Sequence, residues 1–481
     1  MSKPKDSFDP WPAIMTIAES VQQGKATAQA NITEALSRVK QVQDEYNVII
    51  SLVEERALQR AQEVDRLVKE GAKVGKLAGV PFIAKDNYLT FGGETTAASN
   101  VLKGFKASYQ STVIELLEQE GAICVAKANM DAFAHGGSTE NSDFGVTKNP
   151  HDTNRVPGGS SGGSAAAIAL NLVPFALGSD TGGSIRQPAS FCGIVGYKPT
   201  YGLVSRSGVV AMASSTDCMG PMTNSVEDAA VVLEVMAGKD DLDSTTIERD
   251  EKPYTQLDAP LKGKRIGVIK EWFDKGLNAA VSEEIKRGIA KLKEQGAEIV
   301  DVSLPSLPAA LAVYYIVVPA ELSSNLSRHD GQRYQFSAED ASSLEESYKK
   351  TRSQGFGAEA KRRIMIGTHV LSSGYYDAYY KKAQTVRTKI INEFVDAFKD
   401  VDLLVGPVSP TTAFKIGENE DPMQMYLQDM YSVGPSLAGL PAISVPCGEV
   451  DSLPVGLQLV GPQRSDRTLL SIAREFEEAM A

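Results

Sequence analysis

Cysteine, histidine and tryptophan are scarce in this chain of 481 residues, with four, four and two copies respectively. The cysteines lie far apart and form no C-x-x-C pair: Cys124, Cys192, Cys218 and Cys447. This spacing argues against a disulfide framework and against a cysteine zinc site. We expect all four to be small buried residues in a reducing compartment, and we predict no metal site.

The sequence also lacks any run of basic residues and any long apolar segment. Its 61 acidic and 49 basic residues give a net charge of −12, so the chain is poorly suited to bind a phosphate backbone by itself. Residues 1–12 contain no apolar stretch typical of a secretory signal. The apolar residues 165–178 are too few to cross a bilayer and include Asn171 and Pro174. We therefore expect a soluble cytoplasmic protein that does not contact a membrane.

Helix and strand patterns alternate along much of the chain, which indicates an α/β fold with a parallel or mixed sheet. The expected helices cover residues 14–22, 26–43, 54–69, 111–119, 165–172 and 281–294. The expected strands cover residues 47–53, 77–84, 122–126, 173–177, 265–269 and 298–302. Residues 238–264 are predicted to link the two halves, and residues 337–357 to form a helical insertion.

Two glycine-rich loops, each presenting serines, are the most informative feature present. Residues 158–164 read GGSSGGS, and residues 179–186 read SDTGGSIR. Glycine lets a substrate approach the main chain closely, and a hydroxyl next to it can act as a nucleophile. The pair of loops indicates nucleophilic chemistry.

Three other interpretations of these loops are possible. Residues 158–162 match the G-x-S-x-G nucleophile elbow, but no strand precedes Ser160, and His329 and His369, the only downstream histidines, have no evident acidic partner. Neither loop ends in the Gly-Lys-Ser/Thr of a phosphate-binding loop. Simple structural turns are the third interpretation.

Without a histidine base, Lys85 is the candidate to accept a serine proton. It ends an apolar strand, and burial disfavours its ammonium form, so its amine can be neutral and basic near neutral pH. The alternative is that Lys85 only pairs with its neighbour Asp86 at the end of the strand.

At these residues the sequence resembles the amidase signature family of serine hydrolases. The resemblance, which runs from about residue 77 to the C-terminus, implies one domain over residues 1–481: an N-terminal helical segment (1–70), a catalytic core (71–240) and a second half (241–481). It implies a large mixed sheet flanked on both faces by helices. It also implies Ser184 as nucleophile, Ser160 as a bridging serine after a cis peptide bond, and Lys85 as base. The amides of Thr181, Gly182, Gly183 and Ser184 would then hold the oxyanion.

Within that family, the sequence most resembles the A-type subunits of bacterial tRNA-dependent amidotransferases. The segments that carry the likeness are residues 319–321, 323–325, 361–368, 371–380 and 437–441. The resemblance implies a glutaminase that supplies ammonia for converting Glu-tRNA(Gln), or Asp-tRNA(Asn), within a heterotrimer. A B-type subunit would bind ATP, magnesium and most of the tRNA, a small C-type subunit would complete the complex, and this chain itself would need no cofactor. A stand-alone amidase acting on a small or aryl amide, and an inactive scaffold of the same complex, are the alternatives.

Glutamine would need an arginine for its α-carboxylate and a carboxylate for its α-ammonium. The resemblance assigns these roles to Arg362 and Asp429, with Tyr314 or Tyr315 completing the pocket and Arg363 as an alternative to Arg362. Residues 131–137 read DAFAHGG, with alanine and histidine where the family more often has glutamate and methionine. This loop is expected to line the path of the substrate or of ammonia.

Overall fold

A computed structural model describes residues 3–274, 276–334, 336–419 and 421–481. These residues contain one 11-stranded sheet, whose strands in chain order are β1 (Ile49–Leu52), β2 (Pro81–Lys85), β3 (Ile123–Ala128), β4 (Phe175–Asp180), β5 (Val195–Lys198), β6 (Cys218–Thr223), β7 (Arg265–Ile269), β8 (Glu298–Val302), β9 (Leu403–Pro407), β10 (Ala442–Val450) and β11 (Leu453–Val460). Across the sheet the order is β1-β3-β2-β4-β6-β5-β10-β11-β9-β7-β8.

The sheet is mixed. Strand β2 runs parallel to β3 and β4, and β7 runs parallel to β8 and β9. The central strands from β4 through β6, β5, β10 and β11 to β9 are antiparallel. The predicted α/β fold with a large mixed sheet is therefore confirmed.

Helices cover both faces of the sheet. They are α1 (Ile14–Gln22), α2 (Ala28–Tyr46), α3 (Glu54–Lys69), α4 (Thr112–Gln119), α5 (Gly162–Ala169), α6 (Arg186–Cys192), α7 (Val226–Met236), α8 (Ala279–Glu294), α9 (Ala310–Asn325), α10 (Leu344–Gly355), α11 (Ala358–Leu371), α12 (Lys382–Ala397), α13 (Pro422–Leu427), α14 (Val433–Leu437) and α15 (Asp466–Met480). Because successive strand residues point to opposite faces, Phe82 packs in one core cluster with α4 and α7, whereas Ile83 packs in another with α2 and α5.

Some element boundaries differ from those expected from the sequence. Helix α5 begins at Gly162, three residues before the alanine-rich run, and β4 continues to Asp180 rather than ending at residue 177. A Cβ on Gly163 would lie 2.4 Å from the carbonyl oxygen of Asn129, so this helix start packs against backbone that only glycine allows so close. The predicted insertion at residues 337–357 contains helix α10. The division at residues 70 and 240 stays a prediction, since one sheet includes strands from all three segments.

The sequence analysis missed an apolar segment longer than residues 165–178. Residues Leu307–Arg328, which include α9, are long and apolar enough to cross a membrane by length and composition, and half of that segment is buried inside the fold. Buried core helices of globular proteins satisfy the same criterion, and α9 packs on α11, α12 and α14.

Phe175 of β4 stacks on its cross-strand partner Phe82, with ring centroids 5.1 Å apart and both side chains fully buried. We expect Phe175→Ala to lower the free energy of unfolding by about 3–5 kcal/mol, because it removes a large apolar side chain and leaves a cavity. The urea midpoint measured by circular dichroism tests this. Tyr109→Ala, at a side chain that is 55% exposed, is the control and should change stability by less than about 0.5 kcal/mol. Equal midpoints for the two variants would contradict the packing argument.

Candidate active site

Lys85 meets the glycine loops because of the strand order. Strands β2 and β4 are parallel neighbours, so their carboxyl ends, Lys85 and the segment beginning at Ser179, lie at the same edge of the sheet. The loop that carries Ser160 leads into α5 and reaches that edge from the other side. The topology therefore brings together three segments that are distant in sequence.

The Lys85 amine is fully buried among hydroxyl groups. Its Nζ lies 2.7 Å from Ser160 Oγ, 2.9 Å from Ser161 Oγ, 2.9 Å from Ser179 Oγ and 3.3 Å from the Ser179 carbonyl oxygen. Burial lowers the pKa of Lys85 to about 7, although nearby carboxylates act in the opposite direction. The neighbour Asp86 pairs instead with Lys127, at 3.1 Å. The alternative in which Lys85 only pairs with Asp86 is therefore wrong.

The hydrogen bonds around Lys85 allow its lone pair to face Ser160. Asn87 Nδ2 donates to Ser179 Oγ at 3.0 Å, and Ser161 Oγ donates to the Ser179 carbonyl at 3.3 Å. Both hydroxyl oxygens can thus accept the two N–H groups of a neutral amine. The lone pair of that amine is then left for the hydroxyl proton of Ser160, its nearest neighbour.

The two predicted serines lie on loops that are hydrogen-bonded to each other. The Ser161 amide donates to the Ser184 carbonyl at 3.2 Å, and the Gly159–Ser160 peptide bond is cis. Ser184 is 9% exposed, and its hydroxyl makes no hydrogen bond within the described part of the chain. Ser160 therefore contacts the amine directly, while the Ser184 hydroxyl is unengaged.

The segment Thr181–Ser184 is built for close approach. A Cβ on Gly182 would lie 2.5 Å from Tyr314 Cζ, and one on Gly183 would lie 2.3 Å from Ser432 Oγ. Thr181 is held by its hydroxyl, which donates to Asp217 at 2.7 Å. One of the four predicted oxyanion donors is already engaged, since the Gly183 amide donates to Asp180 Oδ1 at 2.8 Å. The oxyanion role stays a prediction for the amides of Thr181, Gly182 and Ser184.

The residues predicted to bind glutamine gather in a second cluster, on helices outside the sheet. Tyr315 donates to Asp429 Oδ2 at 2.7 Å, and burial raises the pKa of Asp429 to about 6. Arg362 and Arg363 both pair with Glu359, but Arg363 is buried against the rings of Tyr315 and Tyr426, whereas Arg362 is 42% exposed.

Both arginines line a cavity of about 250 Å³, together with Gly136, Ser138 and Met425. Two glutamates, Glu359 and Glu140, line the cavity with the two arginines, so its charged side chains balance. The assignment of Arg362 rather than Arg363 to a substrate carboxylate stays a prediction. Tyr314 lies against Gly182, beside the predicted nucleophile, whereas Tyr315 bonds Asp429; which of the two completes the glutamine pocket stays a prediction.

Several residues at the site escaped the sequence analysis. Glu359 precedes the two arginines by three and four residues on α11, a helical spacing that could have revealed it. Asp131 lies within the 131–137 loop, whose sequence differs from the usual family pattern. Its carboxylate accepts hydrogen bonds from the amides of Ser138 and Thr139 at 3.3 and 2.9 Å. No local sequence pattern points to Asn87 or Asp217 as residues of the site.

The nucleophile-elbow interpretation has no support in the structure. His329 lies among the rings of Phe133, Tyr334 and Phe356, and His369 stacks on Tyr375. Over the described ranges, no histidine imidazole hydrogen-bonds to a serine side chain. Within the same residues, no group of three His, Cys, Asp or Glu side chains is arranged to hold a metal ion.

Residues 30–470 match the family model described as Amidase. The chain belongs to the amidase family. It is 52% identical over 468 residues, 97% of this chain and 96% of the relative, to the A-type subunit of the glutamyl-tRNA(Gln) amidotransferase of Thermoanaerobacter pseudethanolicus.

Two solved structures of the family are also similar. The crystal structure of the corresponding A-type subunit from Thermotoga maritima has a TM-score of 0.79 and 41% identity, covering 94% of this chain and 91% of that one. The peptide amidase of Stenotrophomonas maltophilia has a TM-score of 0.82 and 29% identity, covering 97% and 96%. The family and the fold that the sequence resemblance implied are thereby confirmed.

The pKa of Lys85 predicts how the reactivity of Ser184 depends on pH. Below about pH 7 the amine is protonated and cannot accept a proton through Ser160, so labelling of Ser184 by a sulfonyl fluoride should be slow. The labelling rate should rise with pH and level off above about pH 7. Mass spectrometry of the labelled peptide measures the rate, and Ser184→Ala is the control for site specificity. A rate that is constant from acidic to alkaline pH would contradict Lys85 as the base.

Proposed function

We propose that this chain is the glutamine-hydrolysing A-type subunit of a tRNA-dependent amidotransferase, and that it supplies ammonia for converting Glu-tRNA(Gln) to Gln-tRNA(Gln). Support comes from the A-type relatives of glutamyl-tRNA(Gln) amidotransferases, which match nearly the whole chain at about half identity. Such coverage favours this function over that of a stand-alone amidase. The observation that carries the chemistry is the buried Lys85 amine 2.7 Å from Ser160 Oγ, next to the loop of Ser184.

Lys85, Ser160 and Ser184 would act as a proton relay. Ser184 Oγ attacks the carboxamide carbon of glutamine while its proton passes to Ser160 Oγ, and the proton of Ser160 passes to the neutral Lys85. The relay then runs in reverse and protonates the departing nitrogen, which leaves as ammonia. A water molecule, deprotonated through the same groups, attacks the Ser184 ester and releases glutamate.

The negative charge on the tetrahedral intermediate would be held by backbone amides. The amides of Thr181, Gly182 and Ser184 are the candidates, because that of Gly183 donates to Asp180. An oxyanion donor typically contributes about 10²–10³ in rate. Tyr314 and Ser432 pack against Gly182 and Gly183 and so keep this segment in one conformation.

Glutamine would lie with its charged end in the cavity of the second cluster. Asp429, oriented by Tyr315, would accept the α-ammonium, and Arg362, or Arg363 in its place, would bind the α-carboxylate. Asp429 Oδ1 lies 3.8 Å from the position of a Cβ on Gly137, which places it against the loop that lines the cavity.

The ammonia would be used by other subunits of a cytoplasmic heterotrimer. A B-type subunit would bind ATP and magnesium and activate the tRNA-linked carboxylate, and a small C-type subunit would complete the assembly. With a net charge of −12, this chain leaves most of the tRNA binding to its partners.

The relay predicts which substitutions abolish glutamine hydrolysis by the complex. Ser184→Ala, Ser160→Ala and Lys85→Ala should each lower kcat by about 10⁴-fold or more, as in other serine hydrolases that lose a relay member. His369→Ala, at an exposed side chain, should retain activity within a few-fold, and so should His329→Ala if it folds. Ammonia release by a coupled glutamate dehydrogenase assay tests this. Activity in Ser184→Ala, or its loss in His369→Ala, would contradict the mechanism.

Substrate preference should distinguish Arg362 from Arg363. Asp429→Asn and Arg362→Ala should each lower kcat/KM for glutamine at least about tenfold relative to propionamide, which lacks the α-charges; tenfold corresponds to about 1.4 kcal/mol of binding. Lys361→Ala is the matched control, because Lys361 is an exposed neighbour whose ammonium donates to the Ser353 carbonyl. If Arg363→Ala changes this ratio and Arg362→Ala does not, Arg363 binds the carboxylate.

A further inference from the structure

The side-chain amide of Gln187 joins two loops of the site to the helix that follows Ser184. Gln187 lies in the first turn of α6, three residues after Ser184, and is 1% exposed. Its Oε1 accepts the Gly159 amide at 2.9 Å, and its Nε2 donates to the Gly137 carbonyl at 2.8 Å. One amide group thus uses its acceptor on one loop and a donor on the other.

The two loops have different tasks in the proposed reaction. Gly159 directly precedes Ser160, the serine in contact with Lys85. Gly137 lies between Gly136 and Ser138, which line the cavity of the arginine cluster. The Gln187 amide therefore fixes the positions of Ser160 and of residues 136–138 relative to α6, the helix that follows Ser184.

The glycines of the serine loop have no side chains that could make this connection, and besides Gln187 the loop is bonded by Thr139, whose hydroxyl donates to the Gly158 carbonyl at 2.8 Å. A Cβ on Gly158 would lie 2.5 Å from Gln187 Oε1, and a Cβ on Gly159 would lie 2.1 Å from Asp131 Oδ2. Both positions must remain glycine, so their backbones are held only by groups that reach them from outside. Gln187 reaches them from α6, and Asp131 holds the next segment through the amides of Ser138 and Thr139.

We propose that Gln187 is a positioning residue, which aligns Ser160 with Ser184 and the cavity wall with the substrate through its paired hydrogen bonds to Gly159 and Gly137. The inference rests on the proposed function only for the identity of the substrate. The alignment of Ser160 with Ser184 does not depend on which amide is the substrate.

Two variants test the two hydrogen bonds. Gln187→Met keeps the shape and removes both bonds, and we expect kcat/KM for glutamine to fall by about tenfold or more, since displacing reacting groups by 1 Å can cost about 100-fold. Gln187→Glu keeps an acceptor for Gly159, but its carboxylate has no proton for the Gly137 carbonyl. When protonated, the same side chain regains both bonds.

The pH dependence of Gln187→Glu provides a measurement that a purely structural role would not change. The charged groups facing this position are the carboxylates of Asp131, beside Gly159, and Asp429, beside Gly137, while Arg186 on the same helix is bonded to Asp180. Burial and the two carboxylates raise the pKa of the new carboxyl. The activity of Gln187→Glu divided by that of wild type should therefore rise as the pH falls.

The experiment measures glutamine hydrolysis and sulfonyl fluoride labelling of Ser184 in the complex. Both rates are measured for wild type and each variant from acidic to alkaline pH. Gln110→Met is the matched control, because Gln110 is a buried glutamine that likewise accepts one amide, that of Phe91, and donates to one oxygen, of Glu118, away from the site. Gln110→Met should lower thermal stability. It should leave both rates within about twofold of wild type, and its activity divided by that of wild type should not change with pH.

Wild-type labelling with no glutamine hydrolysis would overturn the proposed function but not the role of Gln187, which the labelling rates still test. Labelling and hydrolysis by Gln187→Met within twofold of wild type, or a flat ratio for an active Gln187→Glu, would overturn the role of Gln187. If Gln187→Met does not fold, the ratio for Gln187→Glu decides alone.

Discussion

The site depends on one constraint, the removal of the Lys85 amine from water. In water this group is an ammonium ion and has no lone pair with which to accept a proton. At the end of β2, with every residue of that strand buried, the amine meets hydroxyls and a carbonyl rather than solvent. The neutral form becomes accessible near pH 7. The parallel pairing of β2 with β4 makes this arrangement possible, because it places a strand end and a serine loop at one edge.

Burial alone would not keep the amine available, because a carboxylate paired directly with it would hold it as an ammonium. Three carboxylates act on Lys85 at a distance, and the structure engages each of them elsewhere. Asp180 pairs with Arg186 at 2.9 Å, Asp217 accepts the Thr181 hydroxyl, and Asp131 accepts loop amides. Among the described residues, none of the three forms an ion pair with Lys85. The same bonds fix the loops that surround the amine, so charge control and loop geometry come from one set of contacts.

The parts of this site that could be predicted are those encoded by local patterns. Strand β7 and the end of β2 at Lys85 follow from short apolar runs, and the two serine loops follow from their glycines. The engagement of the Gly159 amide by Gln187 depends on how distant segments meet, which no local pattern records. The choice between Arg362 and Arg363 is of the same kind. Adjacent helix residues point about 100° apart, and only the packing of the aromatic rings beside α11 decides which one is buried.

The proposed relay and the residues proposed to bind glutamine lie on different parts of the fold, and this separation has a consequence for specificity. Lys85 and the serine loops are attached to central strands, whereas the arginine pair, Tyr315 and Asp429 belong to α9, α11 and the turn after α13. Substitutions of Arg362, Arg363 or Asp429 can therefore change how the charged end of a substrate is bound without altering Lys85 or the serine loops. The loop of residues 136–138 touches both regions: Gly136 and Ser138 line the arginine cavity, and the Gly137 carbonyl accepts from Gln187 on the helix after Ser184. A fold arranged in this way can keep one amide-cleaving mechanism while its substrates change.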